Sequence, residues 1–289
     1  MSIVIKVFIL AIVQGFCELL PVSSSAHVII AEKLMGLDPT APSMTFLLVM
    51  LHTGTMLAVI AYFWSTWRSR YFSSAQAFWP FARSLCLATL CTAIVGFGLM
   101  VLIEHVILRG AAKAEMEQLF GNTTLIAVAL ASVGVLIIMS GLRASTADQR
   151  QSIGPGDAVW IGMVQGLCLP FRGFSRSGAT ISTGLFRGLD KEVLENYSFA
   201  LAVILTPPAI AREGHRLLGS HEAGIARDTL ALLSPSLVGM ALSFVAGWLS
   251  LKWLSRWLEH GRWHLFGYYC LVAAAAVFTV GRYFPGQAP

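Results

Sequence analysis

Val164-Gln-Gly-Leu-Cys-Leu-Pro-Phe-Arg-Gly-Phe-Ser-Arg-Ser-Gly-Ala-Thr180 sets Arg176 between two serines inside an apolar chain, and its first residues repeat Val13-Gln-Gly-Phe-Cys17. An arginine in such surroundings needs an anion. The residues Gly178 to Phe186 predict a helix, whose first N–H groups would face the same point as the guanidinium and the two hydroxyls. Helix N-termini attract negative charge, and an arginine fork gives bidentate hydrogen bonds to a phosphate. A phosphate fits this cradle best.

The recurrence extends beyond five residues. Each Val-Gln-Gly is followed by a proline and a Ser-rich loop, and Gly36-Leu-Asp38 returns as Gly188-Leu-Asp190 at nearly the same offset. The first loop, Pro21-Val-Ser-Ser-Ser-Ala-His27, separates two apolar runs, 3–20 and 28–35, neither of which is an ordinary span. A helix that enters a membrane, turns through a polar loop and leaves by the same face fits both copies, because irregular backbone at that depth needs surrounding protein or water. Ordinary apolar spans are expected at 44–64, 85–103 and 122–142, and again at about 196–211, 229–251 and 264–283. Each half therefore has one broken hairpin and an odd number of spans, and two such halves of about 150 residues have inverted topology. The expected fold is an all-α polytopic membrane protein of about six transmembrane helices plus two re-entrant hairpins, in a single membrane domain over 1–289. Repeat one covers about 1–145 and repeat two about 152–289.

Composition supports this. Of 289 residues 56% are hydrophobic and 12% charged, with a mean hydropathy of +0.71; soluble domains carry about 25% charged residues. The net charge of +5 is dispersed over short loops, so it reads as orientation signal and lipid attraction, with no nucleic-acid footprint. Beside the spans, ten basic residues fall on one side (Arg68, Arg70, Arg83, Arg143, Arg150, Arg187, Lys191, Lys252, Arg256, Arg262). Eight fall on the other (Lys6, Lys33, Arg109, Lys113, Arg212, Arg216, Arg227, Arg282), which makes the first side cytoplasmic and places both termini outside. Five cysteines lie in apolar segments without a CxxC pair, indicating neither a disulfide framework nor zinc. Gln14 and Glu18 interrupt the first apolar run, which reads as part of the mature fold rather than a signal peptide.

An ionisable group at membrane depth costs at least about 2.5 kcal/mol, so it is usually paired, wet or functional. Gln14 and Glu18, four residues apart, share one helical face. Ser23, Ser24 and Ser25 are either caps for the short helix that follows or reactive hydroxyls, and His27 stands beside them. The two loops together supply a carboxylate, hydroxyls, an imidazole and an arginine. Arg176 could alternatively do no more than neutralise Glu18, and Arg172 is either a second phosphate contact or an interfacial snorkel. His52, beside Thr53 and Thr55, reads first as a polar residue satisfied within a bundle; Glu32, Lys33, His215 and His221 read as solvated or interfacial.

These motifs resemble the bacitracin-resistance type undecaprenyl pyrophosphate phosphatases, bacterial inner-membrane enzymes. The family pattern of Glu or Gln, three residues, Glu, then Pro-Val-Ser-Ser and a nearby His is matched by Gln14, Glu18, Pro21 to Ser24 and His27. Its second motif, Pro-Gly-x-Ser-Arg-Ser-Gly-x-Thr, is matched by Gly173 to Thr180, with Arg172 where the proline usually stands. The resemblance implies removal of one phosphate from undecaprenyl pyrophosphate at the periplasmic side of the inner membrane, recycling the carrier of peptidoglycan synthesis; bacitracin competes by sequestering that lipid. It implies Ser24 or Ser23 as nucleophile or as the residue orienting a water, His27 as base or acid, and Glu18 and Arg176 as catalytic partners. Ser175, Ser177, Gly178, Thr180, Gly173, Arg172 and Ser25 would bind substrate, and Glu18 with Gln14 would bind Mg²⁺ or Ca²⁺. Gln14 leaves one carboxylate where many members have two, a departure that bears on the strength of metal binding, and a second copy of the chain is among the expected partners, as a homodimer. A lipid transporter without hydrolysis shares the inverted plan, but it does not require a nucleophile beside its anion site. A third class, the phosphatidic-acid type phosphatases, needs a Lys-x6-Arg-Pro element that the chain lacks.

Overall fold

A backbone in hydrocarbon must satisfy its own hydrogen bonds, which favours helices. The computed structural model describes residues 2–37, 42–107, 122–143, 149–218 and 223–283, and the named elements among them are helical. They are α1 (Ile3–Leu19), α2 (Ser24–Leu34), α3 (Pro42–Arg70), α4 (Ala75–Leu102) with a π-helical continuation Ile103–Ile107, and α5 (Thr123–Arg143). The second half supplies α6 (Pro155–Leu167), α7 (Arg176–Phe186), α8 (Lys191–Leu218), α9 (Ala223–Glu259) and α10 (Trp263–Tyr283). Asp38, Arg109, Lys113 and His221 lie outside the described residues, as do the side chains of Arg212, His215, Arg216 and Arg227.

Among the described residues five helices are long and apolar enough to cross a membrane, within α3, α4 with its continuation, α5, α9 and α10, so the chain is a multi-pass membrane protein. The sixth expected span, 196–211, lies within α8 but is not one of the five. That helix opens with Lys191 and Glu192 and carries Pro207 and Pro208 inside, and its apolar run stops short of the ~20 residues that a spanning helix needs.

The short helices come in two pairs, each closing on itself. Val7 near the start of α1 packs in one cluster with Val28 of α2 and with Met35 and Leu37 just past it, beside Met44 and Leu47 of α3. At the other pair, Asp157 in the first turn of α6 accepts from Arg187, just beyond α7, at 2.5 Å. Arg150 approaches both oxygens of the same carboxylate at 2.9 and 3.0 Å and also donates to the Arg187 carbonyl. Asp157 is buried; burial opposes its charge, yet the hydrogen bonds from Arg150 and Arg187 and that from the Gly154 N–H override this and hold its carboxyl below the usual range. Arg70, which donates to Gln151 and lies 3.5 Å from Glu192, belongs to the same basic end of the bundle.

Each pair lies against a long helix of the other half: α1 along α9, and α6 along α4. The recurring Val-Gln-Gly explains how closely. A methyl at Gly15 would stand 2.5 Å from the Ala246 Cβ, and one at Gly166 would stand 2.7 Å from the Val95 Cβ. Small residues let membrane helices approach in this way. α5 and α10 pack together, and α3 lies against both α8 and α9.

One expectation is corrected here. Glu32 is buried at 1% exposure rather than solvated, because Val28, Ile29 and Glu32 fall on the same inward face of α2.

Candidate active site

The two loops at the inner ends of the pairs meet. Ser25 Oγ accepts the Gly173 N–H at 3.3 Å, and Ser177 Oγ donates to the Leu20 carbonyl at 3.4 Å. Gly173 has φ +100°, and a methyl there would come within 2.5 Å of the Ile126 carbonyl oxygen, so the turn before the Ser-Arg-Ser run requires glycine.

Glu18, at the end of α1, is the hub. Its Oε2 accepts from Ser24 Oγ at 2.5 Å and from Gln14 Nε2 at 3.1 Å, and His52 Nε2 of α3 is 3.6 Å away. Its Oε1 accepts from Arg176 Nη2 at 3.4 Å. A carboxylate, a hydroxyl, an imidazole and a guanidinium from four helices therefore share one point. Gln14 occupies the face predicted for it and is buried, which strengthens its bond to Glu18 by excluding water.

Ser23 has φ 65°, the left-handed region that a non-glycine residue enters at a cost. It stands at the N-cap position of α2 without making a side-chain cap; its hydroxyl is 3.3 Å from that of Ser25 instead. What holds the strained turn is His27, whose Nδ1 lies 2.8 Å from the Ser23 carbonyl. A carbonyl only accepts, so this nitrogen carries the hydrogen, and in the neutral ring Nε2 accepts from the Tyr269 hydroxyl at 2.7 Å. The rings of His27 and Tyr269 stack at 5.7 Å with 12° between planes.

In the second loop the helix begins at Arg176 rather than at Gly178, because Ser175 caps it two residues earlier by accepting the Gly178 N–H at 3.3 Å. Ser175 and Ser177 are buried, with their hydroxyls 3.5 Å apart. Thr180 is buried behind them: its hydroxyl donates to the Arg176 carbonyl at 2.9 Å and lies 2.7 Å from Ser198 Oγ, so it braces the first turn of α7. Arg172 is exposed next to Gly173.

Of the residues expected from the first loop, Glu18, Gln14 and Ser24 gather with Arg176 and Ser25 reaches Gly173, whereas His27 turns to the Ser23 carbonyl and Tyr269 and the Ser23 hydroxyl to Ser25; Ser175, Ser177, Gly173 and Gly178 shape the second loop. Two partners were not anticipated. His52 was read as an ordinary bundle residue; its spacing in α3 carries no sign that it meets Glu18. Tyr269 had no sequence signal, since only tertiary packing brings it to His27 from 242 residues away.

For a divalent ion, no three His, Cys, Asp or Glu side chains cluster among the described residues. What the site offers is one carboxylate, Glu18, and the amide oxygen of Gln14. That donor set is sparse for a resident ion, but Mg²⁺ is commonly held by one or two carboxylates together with the oxygens of a bound phosphate. The residues fit an ion that is completed by substrate.

The family described as bacitracin resistance protein BacA matches residues 7–276. The chain is 56% identical over 281 residues to undecaprenyl-diphosphatase 2 of Acinetobacter baylyi, covering 96% of this chain and 97% of that protein. It is 34% identical over 292 residues to the undecaprenyl-diphosphatase of Desulfosudis oleivorans, covering 94% and 97%. With that of Rhodopirellula baltica the identity is 30% over 277 residues, covering 96% and 98%.

Proposed function

The chain belongs to the bacitracin resistance protein BacA family, and from that membership we infer that it is an integral membrane phosphatase that converts undecaprenyl pyrophosphate to undecaprenyl phosphate and inorganic phosphate. This returns the lipid carrier to peptidoglycan synthesis and confers bacitracin resistance, since bacitracin acts by sequestering the same lipid. The observation that carries the chemistry is the Ser24–Glu18–Arg176 arrangement, a hydroxyl clasped to a carboxylate beside a guanidinium.

Phosphoryl transfer asks for an in-line nucleophile and for neutralised charge on the transferred group. Ser24 Oγ is the nucleophile. As it bonds to the terminal phosphorus, its proton passes to Glu18, the anhydride P–O bond breaks, and undecaprenyl phosphate leaves. Water then attacks the phosphoserine as the P–Oγ bond breaks: the proton held by Glu18 returns to Ser24 Oγ, and His27 Nε2, giving up its Tyr269 hydrogen bond, takes the water's proton and passes it to the departing inorganic phosphate. Arg176 moves from Glu18 to the phosphoryl oxygens, aided by Ser175 and Ser177 and by the N-terminus of α7. Arg172, exposed next to Gly173, adds positive charge on the approach. Glu18 and Gln14 would hold Mg²⁺ or Ca²⁺, which when bound neutralises phosphate charge.

The two self-closing helix pairs support reading the fold as an inverted repeat with two re-entrant hairpins that meet inside the bilayer. The basic end at Arg70, Arg150 and Arg187 is then cytoplasmic by the positive-inside rule, and the site opens to the periplasmic side of the inner membrane. A carrier that only flips the lipid has no use for a hydroxyl hydrogen-bonded to a carboxylate at the anion site. The test is phosphate release from undecaprenyl pyrophosphate by the purified protein. Release is expected, and lipid binding without release would replace the phosphatase by the carrier.

A further inference from the structure

His52, on α3, borders the site and takes no part in the proton transfers of Ser24 and Glu18. Its Nδ1 lies 2.8 Å from the Leu48 carbonyl, one turn back along the helix. A carbonyl only accepts, so the hydrogen sits on Nδ1, and Nε2 of the neutral ring carries a lone pair. That lone pair meets a second acceptor: Glu18 Oε2, at 3.6 Å.

A proton shared between the two would make a charge-assisted hydrogen bond, which closes to about 2.7–2.9 Å, and 3.6 Å is too long for any hydrogen bond. Nor does Glu18 call for one. Its Oε2 already accepts from Ser24 at 2.5 Å and from Gln14 at 3.1 Å, and Arg176 supplies the opposite charge. A cation accounts for the spacing. Donors each about 2.1 Å from one ion stand roughly 3.0 to 3.6 Å apart when the angle at the ion is about 90° to 120°. His52 Nε2 falls at the upper end of that range from Oε2, and Gln14 falls near the lower end, where a half-turn of its amide puts Oε1 in place of Nε2. The bond from Nδ1–H to a backbone carbonyl is the usual way in which a ligating imidazole is oriented. With the side chains of His52 and Glu18 38% and 18% exposed, an ion reaches the pair without opening the bundle.

We propose that His52 Nε2 is a metal ligand, joining Glu18 and Gln14 in a mixed nitrogen–oxygen site built from α1 and α3. An imidazole nitrogen moves the preference of such a site away from Ca²⁺ and Mg²⁺, which take oxygen, toward first-row transition cations such as Co²⁺ and Zn²⁺. The inference rests on the reading of Glu18 and Gln14 as the ion's ligands, and with three donors the shell is still completed by phosphate oxygens.

The test is pulsed electron paramagnetic resonance of Mn²⁺, with inorganic pyrophosphate present, on the full-length protein carrying no histidine tag. The spin echo is expected to show one directly bound nitrogen, whose pattern changes when the protein is made with ¹⁵N-histidine. The nitrogen should vanish in His52→Gln and persist in His27→Gln. By competition against Mn²⁺, Co²⁺ affinity should fall about tenfold or more in His52→Gln, while Mg²⁺ affinity changes by less than about twofold. Failure of the wild type to hold Mn²⁺, an echo without a histidine nitrogen, a nitrogen that survives His52→Gln, or equal losses of Co²⁺ and Mg²⁺ affinity overturns the proposal. Should His52→Gln fail to fold, the labelled wild type and His27→Gln decide alone, since loss of the nitrogen in His27→Gln assigns it to the other histidine. Phosphate release is measured separately: a wild type that shows the nitrogen and releases no phosphate defeats the phosphatase and leaves His52 as a ligand.

Discussion

Ser24 Oγ donates to Glu18 Oε2 at 2.5 Å, while His27, the base or acid expected from sequence, has its two nitrogens on the Ser23 carbonyl and the Tyr269 hydroxyl. The serine's proton acceptor is thus the carboxylate. Ser24→Ala should abolish phosphate release, since among the described residues no other hydroxyl is bonded to Glu18. Glu18→Gln should lower kcat by roughly 10² to 10³, the usual worth of a positioned base. It should not raise KM, because it also removes the carboxylate that competes with phosphate for Arg176. Steady-state phosphate release separates these effects; a raised KM with kcat unchanged would remove Glu18 from the proton transfer.

Arg176 reaches Glu18 through Nη2 alone, at 3.4 Å, a long contact for a charged pair. Such a weak resting bond suits a group that must move to a phosphate. Arg176→Lys keeps the charge but loses the planar fork, so kcat should fall roughly a hundredfold despite the conserved charge. If lysine supported near wild-type turnover, the guanidinium would be neutralising Glu18 and not clasping the phosphoryl group.

Much of this site was legible because the chain is so apolar. In a membrane, desolvation makes each polar side chain expensive, so Gln14, Glu18, His27 and Arg176 stand out, and the repeated Val-Gln-Gly brackets them. The serine at the start of each loop was equally visible, but its use was not: Ser175 caps α7 through its side chain, whereas Ser23 leaves α2 uncapped and bends to positive φ. That difference goes with the His27 Nδ1–H hydrogen bond to the Ser23 carbonyl. His52 and Tyr269 sit on long helices whose hydropathy says only that they are helices, and which residue faces the loop is settled by tertiary packing, within the first half for His52 and between halves for Tyr269. The apolar run at 196–211 was legible from hydropathy, and it lies in α8, a helix that opens on Lys191 and Glu192 and contains two prolines.

Asp157 ties the outer ends of α6 and α7 through Arg150 and Arg187, and the pair's inner ends carry Arg176. Its folded-state pKa is depressed, so the stability it contributes is present above the unfolded value and is lost as pH falls through the folded one. The solubilised protein should therefore lose melting temperature below about pH 4, where an unfolded aspartate begins to take up its proton. Asp157→Asn should be less stable at pH 7 by about 2 kcal/mol, less than a fully buried pair would cost because both arginines are partly exposed and can turn to water. The variant should also flatten the acid limb of the melting curve. An unchanged limb would place the acid sensitivity elsewhere.

Gln14 decides how a divalent ion can bind. Its Nε2 donates to Glu18, so one carboxylate faces Arg176, Ser24 and His52, and no second one joins it among the described residues. Cation affinity rises with the number of carboxylates in a site. The wild type should therefore bind Mn²⁺ alone only weakly and gain affinity when inorganic pyrophosphate is added, because the phosphate oxygens complete the shell. Gln14→Glu reverses that dependence. With two acidic side chains four residues apart on one helical face, the second charge is unfavourable until a cation arrives, so the variant should bind Mn²⁺ without pyrophosphate at least tenfold more tightly, roughly the 1.4 kcal/mol that one charge–charge contact near a protein surface readily supplies. Titration of Mn²⁺ followed by electron paramagnetic resonance measures both cases. If the wild type binds Mn²⁺ tightly on its own, Glu18 and Gln14 suffice as a resident site, and the ion does not depend on substrate for its ligands.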